Sequence, residues 1–461
     1  MRAHEAGALH GDLGGRGPAW LRLPEDVNAL VPELWPRTVT RTEQGVVEIG
    51  GVSVRDLADE YGTPAYFLDE EDLRARCRDF LTAFAGADVY YAGKSFLCKA
   101  VVKIIEQEGL FLDVCTGGEL AVALAAGFPA ERMGFHGNNK SARELERAVD
   151  AGVGRIIVDS FDEIARLNKL AEESGKRPKV LIRVTVGVEA HTHEFIATAH
   201  EDQKFGFSLA GGAAFEAAIQ ILDEGILDLR GLHSHIGSQI FDTSGFEVSA
   251  RRVVQLQAQI RDARGVELEE LDLGGGFGIA YTTQDDPSPA GDLAKRINKI
   301  VDGECEQENL RKPKLSIEPG RAIVGPAVFT LYEVGTVKDV DGIRTYVSVD
   351  GGMSDNIRTA LYDASYSATI AGRASRAEPL LARVVGKHCE SGDIVVKDEF
   401  LPADVQPGDL LAVPGTGAYC RSMASNYNHV PRPPVVAVRD GVARVIVRRE
   451  TEADLLNLDV G

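Results

Sequence analysis

Between residues 88 and 318 the chain alternates short apolar runs with longer stretches whose apolar residues recur every three or four positions. The runs are rich in β-branched and aromatic residues: Asp88–Ala92, Leu110–Val114, Arg132–His136, Arg155–Asp159 and Val180–Val186, then the less clean Leu229–Ile236, Leu268–Leu273 and Lys314–Glu318. Largely apolar runs of this length predict strands buried on both faces. The stretches between them, such as Ser141–Ala151, Phe161–Ser174 and Phe215–Glu224, have helical spacing. Strands alternating with helices predict an α/β fold, either a closed (β/α)8 TIM barrel or an open doubly wound sheet. Polar positions decide between them. Lys94, Asp113, His136, Asp159, His235, the glycines from Gly274 and Glu318 all fall at or just past the C-terminal end of a run. A barrel gathers those ends around one axis, whereas an open sheet spreads several of them apart.

After Pro326 the texture changes. Val328–Val337, Thr345–Val349, Leu380–Val385, Asp393–Val396, Asp409–Val413 and Val435–Arg439 are short strand candidates, many separated by Pro and Gly turns. They predict a C-terminal β domain, which the strand-like Gly45–Val54 segment joins. The division expected is a loosely ordered Gly/Pro/Ala-rich arm over 1–35, a segment over 36–61 belonging to the β domain, a barrel over 62–329 and the β domain over 330–461.

Composition narrows the class. With 461 residues the chain is too long for one ordinary core. The net charge of −20 argues against a nucleic-acid surface, which needs clustered Lys and Arg. No apolar run approaches the roughly 20 residues of a membrane span. Cys77, Cys98, Cys115, Cys305, Cys389 and Cys420 are scattered without a C-x-x-C pair, which reads as reduced thiols in a cytoplasm.

Five segments carry candidate chemistry. Lys94, ending Tyr91-Ala92-Gly93-Lys94, would have a partly desolvated amine suited to a carbonyl adduct; the plainer reading is a Lys leaving a strand for solvent. The run Gly274-Gly275-Gly276-Phe277-Gly278 lets backbone N–H groups approach a phosphate, or is simply a turn. In Glu318-Pro319-Gly320-Arg321 the carboxylate suits a pyridinium nitrogen and the Arg an anion; a salt bridge at a turn is the alternative. His233-Ser234-His235-Ile236-Gly237-Ser238 places two His on one strand face. They would bind a metal, as in barrel hydrolases, or place one imidazole flat on an aromatic cofactor with Ser238 at its phosphate, or be core histidines. A Lys before, and a glycine loop after, favours the cofactor. Cys389-Glu390-Ser391-Gly392-Asp393 offers a proton donor beside a carboxylate, or a small hydrophobe beside a surface acid.

Together these segments resemble the site of fold-type III pyridoxal-phosphate enzymes, which pair an alanine-racemase-like barrel with a β domain. Glu318 stands where alanine racemases carry an Arg, which points to a decarboxylase. Gly187–Phe195, Asp350–Tyr362, Cys389–Asp393 and Gly417–Tyr427 are similar to the diaminopimelate decarboxylase family, over roughly 50–438. The resemblance implies decarboxylation of meso-2,6-diaminopimelate at its D-centre to L-lysine and CO2, the last step of lysine biosynthesis, with pyridoxal 5'-phosphate as cofactor. It implies that Lys94 holds the cofactor, His235 stacks on its ring, Glu318 pairs with its nitrogen and Asp113 lies near the Lys94 amine. Ser238, Gly275, Gly276 and Arg321 would hold chiefly the phosphate, Arg321 also reaching substrate. Arg358, Tyr362 and Glu390 would bind the far end of the substrate, Tyr419 would touch cofactor and substrate, and Cys389 would reprotonate the α-carbon. Cys389 and Glu390 would come from the partner subunit of a homodimer. Ser95 stands where the family commonly has Ala, and Lys387-His388 precede Cys389 where many members have Pro.

Overall fold

The computed structural model describes residues 17–187, 203–340 and 343–461. Two compact units emerge, one of 74–278 with 287–323, the other of the N-terminal segment to Leu73, 279–286 and 324–461.

The first unit is the barrel. Its strands are β1 (Asp88–Ala92), β2 (Phe111–Val114), β3 (Met133–Phe135), β4 (Arg155–Val158), β5 (Lys179–Thr185), β6 (Asp228–His233), β7 (Glu270–Asp272) and β8 (Lys314–Ile317). Each pairs in parallel with the next, from Tyr90 opposite Phe111 onward, and β8 returns to β1 through Ser316–Asp88 and Ile317–Val89. The sheet is therefore closed, as the polar strand ends predicted. The helices follow the expected periodicity, and three of the described barrel helices begin at side-chain caps, Thr116 among them. Ser141 caps Ala142–Ala151 in a reciprocal box with Glu144, and Ser160 caps Phe161–Ser174. Close strand approach at Gly231 in β6 leaves no room for a side chain, since a Cβ there would lie 2.1 Å from the Glu270 carbonyl.

β6 is shorter than the apolar run Leu229–Ile236 suggests. Pairing ends at His233, and after the Ser234 N–H donates to the Asp272 carbonyl the chain turns away through Gly237 at φ 143°. His233 and His235 therefore do not share one strand face.

In the second unit the long strand Val328–Val340 is the organiser. It runs antiparallel to Arg344–Val349, Leu410–Pro414 and Ala65–Asp69. Ala65–Asp69 in turn pairs with Val435–Arg439, and Arg344–Val349 with Pro379–Val385. The core beneath includes Phe67, Phe329, Leu331 and Val436, with Leu34 and Trp35 from the N-terminal segment packed into it. Trp35 meets Phe329 at 5.9 Å between ring centroids, and Asn28 exchanges hydrogen bonds with the backbone of Ser375. The expected N-terminal arm lies outside the described residues up to 16.

Candidate functional site

Lys94 sits in a tight turn, Gly93–Ser95, directly after β1. The turn is possible because residue 93 lacks a side chain; a Cβ would lie 2.6 Å from the Asp113 carbonyl. Ser95 is fully buried and its hydroxyl donates to the Ala92 carbonyl at 2.7 Å, so the turn satisfies it internally. Lys94 itself is exposed between the buried Gly93 and Ser95, contrary to the partly desolvated amine expected from the sequence. Its charge acts on Asp113, lowering that carboxyl, and on His235.

Across the barrel mouth the strand ends bring together Asp113 from β2, His136 after β3, His233 from β6, Asp272 from β7 and Glu318 after β8, all buried. The His136 Nε2 lies 3.0 Å from Asp113 Oδ1 and 3.1 Å from Glu318 Oε1. His233 Nε2 approaches the same Glu318 oxygen at 3.1 Å. These are ion-pair distances without good hydrogen-bond alignment at Glu318 Oε1, which along with both His233 nitrogens has no aligned partner. Burial alone would raise the Glu318 carboxyl, but His136 and His233 outweigh it and hold it well below the ordinary range. Burial pulls the His136 imidazole down, yet Asp113 and Glu318 overcome this and push it to about 10. Burial and Glu318 raise Asp113 to about 6, against the pull of His136. Burial also lowers His233, to about 4 despite Glu318. The pattern is an ionised Glu318 beside a protonated His136.

The glycine run follows β7. Gly274 and Gly276 have φ of 69° and 107°, open to glycine. A Cβ at Gly275 would lie 2.3 Å from the Glu318 carbonyl, and one at Gly276 2.6 Å from that of Gly237. The Gly275 N–H donates to His235 Nδ1 at 3.1 Å, which fixes the imidazole just beyond β6. Enclosure, then the charges of Lys94 and Arg183, keep His235 well below the ordinary imidazole range, hence neutral. The buried Arg321 guanidinium donates to Ser238 Oγ at 2.8 Å. Hydroxyl, guanidinium and close-packed glycine backbone form a donor set suited to a phosphate.

The remaining candidates belong to the sheet unit. Arg358 opens the short helix Arg358–Tyr362 and is buried. Its guanidinium lies 4.7 Å from the Tyr281 ring centroid and donates to the Tyr366 hydroxyl at 2.6 Å. Among the described residues no carboxylate pairs with it, a strong sign of an anion site. Tyr362 and Tyr419 are half-buried, and Tyr419 has a left-handed backbone at φ 64°. Cys389 and Glu390 are exposed on a braced turn. The Asp393 carboxylate accepts from the N–H groups of Met353 at 2.6 Å and His388 at 2.8 Å, the His388 ring meets Ser354 Oγ at 2.9 Å, and the Cys389 N–H donates to Asn428. His388 thus ties down the turn with both its backbone and its ring. Sequence reasoning missed Tyr281 and Tyr366, and it placed His136 at a strand end without seeing the carboxylates it faces. The Gly187–Phe195 motif lies outside the described residues from 188 onward.

Residues 70–325 match the family model described as pyridoxal-dependent decarboxylase, pyridoxal binding domain. The diaminopimelate decarboxylase of Mycobacterium tuberculosis is 58% identical over 440 residues, covering 94% of this chain and 98% of that one. The Mycobacterium leprae enzyme of the same name is 54% identical over the whole of both chains. Among solved structures, diaminopimelate decarboxylase from M. jannaschii in co-complex with L-lysine superposes with a TM-score of 0.86 at 31% identity, over 93% of this chain and 99% of that one.

Proposed function

The chain belongs to the diaminopimelate decarboxylase family of pyridoxal-dependent decarboxylases, and on that premise we propose that it removes the carboxyl group at the D-centre of meso-2,6-diaminopimelate, giving L-lysine and CO2. The observation that carries the reading is the buried Glu318, 3.1 Å from the His136 and His233 nitrogens, in the same barrel as Lys94, Ser238 and Arg321. These residues fit pyridoxal 5'-phosphate. Among the described residues Glu318 Oε1 is a buried acceptor without a well-aligned hydrogen bond, facing the His136 and His233 nitrogens at 3.1 Å, and the Gly275–Gly276 backbone lies where any Cβ would collide. When bound, the cofactor supplies a protonated pyridine ring that takes up the electron pair left as CO2 departs.

The chain's own residues then have distinct tasks. Lys94 would hold the cofactor's aldehyde end through its amine, with Asp113 near it. Glu318 would accept the ring N–H, and His235, fixed as a neutral imidazole, would support the ring face. Ser238, Gly275, Gly276 and Arg321 hold the phosphate, Arg321 also reaching substrate. Arg358 takes the carboxylate that stays on the product, Glu390 and Tyr362 take the ammonium beside it, and Tyr419 contacts cofactor and substrate. In the homodimer we propose, Cys389 and Glu390 of the partner subunit complete the site, and Cys389 of the partner subunit returns a proton to the α-carbon. Six free cysteines accord with a reducing cytoplasm.

A substrate panel tests the reading. The chain supplied with pyridoxal phosphate is expected to release CO2 from meso-diaminopimelate and not from ornithine or arginine. Turnover of ornithine or arginine at a comparable rate would assign it to another basic amino-acid decarboxylase. The two imidazoles of His233 and His235 face Glu318 and Gly275 respectively, and metal analysis of the purified protein tests the metal-hydrolase reading.

A further inference from the structure

Glu318 has work to do only while it is ionised and held in place, and its surroundings are hostile to a charge. Asp113 and Asp272 are buried near it and each raises the cost of another negative charge. Several buried carboxylates with no cation among them would share protons, and Glu318 would be among those neutralised. One buried ring nitrogen stands between two of them. His136 Nε2 is 3.0 Å from Asp113 and 3.1 Å from Glu318, and the ring packs edge-to-face on His233 at 5.0 Å between centroids. The fold makes room for this bridge. Gly134, two residues earlier on β3, points the same way, and a Cβ there would lie 2.8 Å from Asp113 Oδ1.

We propose that His136 is a positioning residue for the decarboxylation, a cationic bridge between Asp113 and Glu318 that keeps the Glu318 carboxylate charged and aimed at the cofactor's ring nitrogen. The inference rests on the cofactor reading above. The field around His136 and Glu318 includes, besides these two, Asp113 from β2, His233 from β6, Asp272 from β7 and Arg183 from β5, with Glu119, Cys115 and His235, and Lys94 after β1 acts on Asp113. Of these Asp113 and Glu318 hold the proton on His136, while burial lowers His233, which acts on Glu318 after His136. His136 is thus the group whose charge directly offsets both carboxylates. Any replacement of similar size fills the space, but only a cation keeps the charge.

The test compares His136→Gln and His136→Lys with the unaltered chain, all loaded with pyridoxal phosphate, by titrating the bound cofactor's absorption spectrum from pH 6 to pH 9. Loss of a cation raises the proton affinity of every neighbouring acid. His136→Gln is therefore expected to move the spectral midpoint upward by about one pH unit or more, a tenfold change in proton affinity, with His136→Lys bringing it back. Circular dichroism checks that the folds match, and His136→Asn stands in where the Gln chain does not fold. A midpoint in the neutral variant equal to that of the unaltered chain would overturn the proposal. So would a shift that His136→Lys fails to reverse. If His136→Gln folds but holds no cofactor, recovery of the band by His136→Lys supports the bridge and continued loss overturns it. A chain without any cofactor band in its unaltered form would instead overturn the cofactor reading, so the two failures are distinct.

Discussion

Removing a single oxygen from Tyr366 should weaken binding of the product's carboxylate and little else. The buried Arg358 guanidinium donates to the Tyr366 hydroxyl at 2.6 Å while its face lies against Tyr281, 4.7 Å from the ring centroid. In Tyr366→Phe the ring remains, with its edge-to-face contact on Tyr281 at 5.1 Å, so packing is kept. What goes is a charge-assisted hydrogen bond worth about 1.5–3 kcal/mol, and with it the fixed aim of the guanidinium, together with a weaker contact to Cys420 Sγ at 3.7 Å. At about 1.4 kcal/mol per decade, that is a loss of roughly ten- to a hundredfold in affinity for a ligand carboxylate. The assay is competitive inhibition by L-lysine, which carries that carboxylate, beside cadaverine, which lacks it. The L-lysine inhibition constant is expected to rise about tenfold or more, with that of cadaverine changing less than about threefold. An unchanged constant for L-lysine, or an equal loss for cadaverine, would refute the idea that Tyr366 aims Arg358 at a carboxylate.

Other consequences follow from burial and close contact. Lys140 Nζ donates to Glu163 at 2.7 Å and to the carbonyls of Gly137 and Ile157, with both charged side chains about 1% exposed. Lys140→Met strands a buried carboxylate and should cost about 3–5 kcal/mol in denaturant unfolding; a loss below about 1 kcal/mol would contradict this. Gly231→Ala places a Cβ 2.1 Å from the Glu270 carbonyl and should lower the melting temperature sharply. Gly303→Ala, on the helix Ala290–Gln307 with nothing within 4 Å of its Cβ, should add about 0.5–1 kcal/mol. Burial raises the Glu399 carboxyl from 4.5 to about 7, against the N–H groups of Ala368 and Phe400 that it accepts from. The stability it lends is full below 4.5 and is lost as pH rises through about 7, so the unfolding free energy should fall across that window. Glu399→Gln should make that slope shallower; an unchanged slope would show that Glu399 does not titrate there.

The barrel was legible because its strands are buried on both faces and its polar residues cluster at one end of each run. The β domain was legible from turn spacing, apart from Ala65–Asp69. That strand, Ala-Tyr-Phe-Leu-Asp, is buried throughout and reads like another barrel strand, and its place in the other sheet depends on pairing with residues more than 250 positions away. The same limit applies at the site. Lys94, Glu318 and Arg321 announce themselves by residue type and position. The bridge at His136 depends on which carboxylates two other strands bring to it, and the frame around Arg358 depends on Tyr281, 77 positions earlier in the chain. His233 and His235 misled because an alternating pattern fixes a face only while the strand continues, and pairing stops at His233.

The most direct measurement of the central claim is borohydride reduction of the chain loaded with pyridoxal phosphate, followed by peptide mapping and an assay of meso-diaminopimelate turnover. The account predicts a visible cofactor absorption band that reduction abolishes, a stable pyridoxyl tag on the peptide containing Lys94, and loss of CO2 and L-lysine release in step with tagging. A tag on another lysine, or full turnover after Lys94 is tagged, would contradict it.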